Sequence, residues 1–81
     1  MGSKEVTEKV NEFLIEEFEL EESQLVPEAL MKDDLDIESL DFVDIAVIIE
    51  QKFGLKASSG DIQKIITLED LYNFILNHSD N

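Results

Sequence analysis

Apolar residues return at three- and four-residue steps over most of this chain, separated by stretches in which charge takes over. Val6, Val10, Phe13, Leu14 and Phe18 form one such stripe, with Lys9 and the glutamates mostly on the other face. They predict a helix from about Lys4 to Glu19. Ile15 falls off the stripe and points to a wider apolar face. Leu40, Val43, Val47 and Phe53, with Ala46 and Ile49 beside them, trace a second stripe that Ile45 and Ile48 broaden. A second helix is therefore expected from Ser39 or Leu40 to Phe53, the most buried in the chain. Its many β-branched residues would also suit a strand. The length of the run and the lack of period-two alternation decide for a helix, and Gly54 supplies the stop.

Ser58-Ser59-Gly60-Asp61 reads as a turn or cap leading into a short helix, Asp61 to Ile65. Thr67, with Asp70 three residues on, predicts the start of a last helix that buries Leu68, Leu71, Tyr72, Ile75 and Leu76. The first connection, Glu21 to Ile37, is long and broken by Pro27, and Leu25, Val26, Leu30, Met31 and Leu35 are expected to pin it to the core. Loops of that length are more often functional than purely structural. The expected fold is all-α: a small four-helix bundle of three longer helices and one short one, with a long first connecting loop. A single domain over 1–81 is expected, with 1–3 as an expression scar and 78–81 as a frayed tail.

Composition narrows the function. Eighty-one residues make one domain with a modest core. Twenty acidic residues stand against six lysines and no arginine, for a net charge of -14. Such a surface repels nucleic acid and anionic lipid, and attracts basic patches on other proteins. Solubility alone accounts for much of Glu16 to Glu22, but less well for the acids around position 39. There is no cysteine, so disulfides, thiolate zinc sites and a cysteine nucleophile are excluded. No apolar run approaches the ~20 residues of a membrane span. Met1-Gly2-Ser3-Lys4-Glu5 lacks the apolar sequel of a secretory leader, and a cytoplasmic monomer is expected. His78, the sole histidine, has no catalytic partners in the pattern, and no glycine-rich phosphate loop is present; a non-enzyme is expected.

Ser39 is the candidate for chemistry. It is a lone hydroxyl among Asp34, Asp36, Glu38 and Asp41, where an acidic loop meets an apolar helix, with no catalytic base nearby in sequence. That placement reads as a point of attachment, although serine is also a common helix N-cap. Asp34-Leu35-x-x-Glu38-Ser39-Leu40-Asp41, followed by a helix ending Glu50-Gln51-Lys52-Phe53-Gly54, resembles the modification site and second helix of acyl carrier proteins. Asp61-Ile62-Gln63-Lys64-Ile65 and Thr67-Leu68 are similar to that family's third helix and the start of its fourth.

The resemblance implies a carrier that holds acyl groups as thioesters on a 4'-phosphopantetheine arm attached to Ser39. It implies a phosphopantetheinyl transferase as one partner, and acyl-transfer and chain-synthesis enzymes of fatty acid, polyketide or related pathways as the others. Those enzymes would use basic patches to meet Glu38, Asp41, Asp44 and Glu50. Read on their own, Asp41, Asp44 and Glu50 are equally well a solvated helix face. Val43, Val47, Ile49, Ile62 and Leu71 would line an acyl pocket. Glu38 stands where the family has aspartate, and Asp36 where glycine is common. Ile62 and Leu71 replace small residues and imply a tighter pocket. A peptidyl or D-alanyl carrier using the same serine is the near alternative. The distant one is a divalent-cation module, but counted from Asp34 an EF-hand frame meets Ser39 where it needs glycine and Ile45 where it needs glutamate, and no metal site is expected.

Overall fold

A computed structural model describes residues 2–79. Helix α1 spans Ser3–Phe18, α2 Ser39–Phe53, α3 Ser59–Gln63 and α4 Leu68–Ser79, and a short 3-10 turn, Glu22–Gln24, lies in the first connection. The architecture is the expected all-α bundle of three longer helices and one short one. Among the described residues the one extended pairing is an isolated antiparallel bridge between Leu30 and Thr67. Gly2 caps α1 and Ser3 is its first residue; position 1 of the expected scar lies outside the described residues. Helix α4 continues through His78 into the stretch where fraying was expected, with His78 Nδ1 at 2.8 Å from the Phe74 carbonyl. Positions 80 and 81 lie outside the described residues.

Helix α1 buries Val6, Val10, Phe13 and Leu14, as the stripe predicts, and packs along α4. Ile15 is exposed, so the apolar face is narrower than expected. The Tyr72 hydroxyl donates to Asn11 Oδ1 across the α1–α4 seam at 2.5 Å. Burial raises the Tyr72 pKa, against the opposing effect of the Asn11 bond.

Helix α2 corrects the expected stripe. Its buried side chains are Phe42, Ile45, Ile48 and Ile49. Leu40, Val43 and Val47 instead face outward, 79%, 61% and 48% exposed, so α2 is not buried all round. The reason is geometric. Apolar residues cover so much of the circumference of α2 that spacing alone admits two stripes. The neighbouring surfaces choose between them: Leu68, Leu71 and Ile75 of α4 and Met31, Leu35 and Ile37 of the loop join Ile45 and Ile49 in one core cluster. Gly54 ends α2 at a φ of 71°, where its N–H donates to the Glu50 carbonyl at 2.9 Å.

The long connection is held by its own backbone. The N–H of Met31 donates to Ile66 O, that of Leu68 to Ala29 O and that of Glu69 to Pro27 O, each at 2.9 Å. Loop carbonyls thus satisfy first-turn N–H groups of α4 that have no intrahelical acceptor. Leu25, Ala29, Met31, Leu35 and Ile37 are the buried anchors, whereas Val26 and Leu30 face solvent. Those two were expected inside; Leu30 contributes its backbone to the bridge instead of its side chain to the core.

Two capping boxes set the remaining boundaries. Ser58 Oγ accepts the Asp61 N–H and Asp61 Oδ2 accepts the Ser58 N–H, both at 3.2 Å, which starts α3 two residues earlier than expected. Thr67 Oγ1 accepts the Asp70 N–H at 3.1 Å, and Asp70 Oδ2 accepts the Thr67 and Ile66 N–H groups at 3.0 and 3.1 Å. Helix α4 begins one residue after that cap, as the Thr67–Asp70 spacing predicts.

Candidate functional site

Alternation in the acidic segment builds the site. Leu35 and Ile37 point into the core, and Asp34, Asp36 and Glu38 point out. The Asp34 carboxylate turns back to accept the Leu30 N–H at 2.8 Å. Asp36 takes a φ of 57°, the left-handed conformation in which the chain reverses before α2. Glu38 is the N-cap of α2, and its N–H donates to Asp41 Oδ2 at 3.0 Å.

Ser39 is consequently the first residue of α2 and not its cap. Its side chain is exposed, and among the described residues Oγ has no hydrogen-bond partner. The hydroxyl stands where the first-turn N–H groups give a helix its partial positive charge. Beside it opens a groove of about 430 Å³. Phe42, Val43 and Ala46 of α2 and Ile62 of α3 form its apolar wall, with Ala57 and Ile65 at the ends of α3. Lys32, Ser59 and Gln63 complete the rim.

Of the residues expected at an acyl pocket, the groove brings together Val43 and Ile62. Ile49 and Leu71 lie in the core with no exposed surface, and Val47 is on the outer face of α2. Phe42, Ala46, Ala57 and Ile65 were not anticipated as lining. The approach of α3 and its flanking residues to α2 places them there, and the small residues Ala46 and Ala57 are the visible trace in the sequence. Of the acids, Glu38, Asp44 and Glu50 are exposed, while Asp41 is half-buried and engaged at the helix start. At the mouth of α3 the Ser58 hydrogen bonds hold the Asp61 carboxyl below its ordinary range, with smaller help from His78 and Lys64. Among the described residues no three acidic or histidine side chains converge as metal ligands.

Ser39 thus presents an exposed hydroxyl at the start of α2, on the rim of an apolar groove. Residues 8–75 match the family described as the phosphopantetheine attachment site. The chain is 38% identical over 72 residues to the acyl carrier protein of Thermotoga maritima, an alignment covering 89% of each chain. It is 32% identical over 76 residues to that of Phytoplasma mali, covering 94% of this chain and 90% of the relative. With the acyl carrier protein of Campylobacter hominis it shares 27% identity over 77 residues, covering 95% and 98%. The chain belongs to the acyl carrier protein family and is a carrier whose prosthetic group is 4'-phosphopantetheine.

Proposed function

We propose that Ser39 carries the 4'-phosphopantetheine arm and that the α2–α3 groove receives the acyl end. The observation that carries this reading is the release of Ser39 from capping: Asp41 closes the helix start, so the neighbouring hydroxyl is left for an ester. In the loading step the Oγ–phosphorus bond forms as the pyrophosphate bond of coenzyme A breaks and 3',5'-ADP leaves. The hydroxyl proton goes to a base of the transferase, since the neighbouring Asp41 carboxylate is engaged by the Glu38 N–H. When bound, the arm supplies a thiol on which an acyl group is held as an activated thioester; this chain has no cysteine to do so itself.

The remaining parts serve presentation. Leu40, Val43 and Val47 expose an apolar strip, and by helical spacing Leu40 and Val47 share a face with Asp44. Exposed Glu38, Asp44 and Glu50 flank that strip. An apolar centre with a charged rim is the form of a transient protein interface. In this reading it meets basic patches on the transferase and on acyl-transfer and chain-synthesis enzymes of fatty acid or related pathways. Those partners perform the chemistry, and the carrier acts as a cytoplasmic monomer. No helix among the described residues is long and apolar enough to cross a membrane.

The test is mass spectrometry after incubation with coenzyme A and a broad-range phosphopantetheinyl transferase. A gain of one phosphopantetheine that is lost in Ser39→Ala and kept in Ser59→Ala supports the reading. Ser59 is the other hydroxyl on the groove, so a gain that follows Ser59 would overturn it.

A further inference from the structure

Lys32 is the one basic side chain on the groove that Ser39 borders. The backbone brings the two residues together from opposite sides of one clamp. The Met31 carbonyl accepts the Ile37 N–H at 2.9 Å, the Met31 N–H donates to Ile66 O, and both Met31 and Ile37 are buried. Lys32 leaves that clamp on one strand of chain, and Glu38 and Ser39 leave it on the other. Among the described residues the Lys32 ammonium has no carboxylate within ion-pair distance, although Asp33 and Asp34 adjoin it in sequence. Asp34 is occupied by the Leu30 N–H. The other polar rim residues, Ser39, Ser59 and Gln63, are neutral.

This arrangement answers an electrostatic difficulty in the reading of Ser39, on which the inference rests. A phosphodiester on Ser39 adds a negative charge between Glu38 and Asp41, and like charges that close repel. The first-turn N–H groups offset part of that repulsion. The geometry points to Lys32 as a positioning residue for the phosphate: its ammonium attracts the phosphodiester and draws the root of the arm over the groove rather than away from it. Lysine suits this role as a flexible point charge with three donors, needing no bidentate geometry.

The test is a thermodynamic cycle on the full chain, comparing apo and holo forms by denaturant unfolding. Lys32→Ala should raise the unfolding constant of the holo form more than that of the apo form. The difference expected is about 1.5- to 5-fold, the range for an exposed ion pair. Lys32→Arg should retain the coupling. Lys64→Ala removes the same charge from a residue that does not line the groove and should affect apo and holo forms equally. In about 1 M salt, where charges are screened beyond about 3 Å, the Lys32 difference should shrink toward none. Equal effects of Lys32→Ala on the two forms would overturn the inference and leave Ser39 as the attachment point. Mass spectrometry on each sample separates the cases: a Ser39 that takes no arm removes both readings.

Discussion

The backbone N–H of Glu38 donates to the carboxylate of Asp41 at 3.0 Å, and this bond decides what Ser39 is free to do. Serine just before a helix ordinarily folds back on the first turn and hides its hydroxyl there. Here the cap falls one residue earlier, and the acid three residues on closes the turn.

The two residues should therefore separate stability from loading. Asp41→Ala removes the cap bond and should cost about 0.5–2 kcal/mol. Ser39→Ala removes no side-chain hydrogen bond among the described residues and should stay within about 0.5 kcal/mol of the parent. Urea unfolding of the two apo variants checks this; equal losses would mean that Ser39 shares the capping.

Asp36 holds a left-handed conformation at a φ of 57°. An L-residue pays about 1–2 kcal/mol there, and the added freedom of glycine in the unfolded chain returns part of that. Asp36→Gly should stabilise the protein by about 0.5–1 kcal/mol, read as a higher midpoint of thermal unfolding.

The corrected face of α2 makes its own forecast. Ile49→Ala empties a fully buried site and should cost about 2–5 kcal/mol. Val47→Ala, on the outer face, should change stability by no more than about 0.5 kcal/mol. Circular dichroism melts of the pair would show a large gap; similar melts would restore the stripe that spacing first proposed.

Acid should loosen the start of α4. The Thr67 N–H, then the Ile66 N–H, hold the Asp70 carboxyl below its ordinary range, and partial burial opposes them. A carboxyl lowered on folding contributes stability that is complete above the unfolded value of about 3.9 and fades as pH falls through the folded value. Asp70→Asn should flatten the fall in unfolding free energy below about pH 5. Titration by urea unfolding across that range checks the slope.

Helix existence, the order of the elements and a serine at the start of the second helix were legible because each depends on local pattern. The Thr67–Asp70 box and Gly54 even place helix ends to within a residue, since a cap is a contact between near neighbours in sequence. The lining of the groove beside Ser39 was only partly legible. Val43 and Ile62 reach the groove, but Ile49 and Leu71 are core residues, and Lys32 at the rim carries no mark in the sequence that distinguishes it from the other lysines.

By itself the sequence determined an acidic, cysteine-free, all-helical domain with one hydroxyl set at the mouth of its second helix, because composition and short-range spacing need no partner to be read. Tertiary structure alone decided which side of α2 turns inward, and that the loop from Pro27 to Ile37 binds the start of α4. It also decided that Lys32 shares a groove with Ser39. Those choices arise between surfaces remote in sequence, where a helix apolar on more than one side can dock in more than one way until its neighbours fill the core.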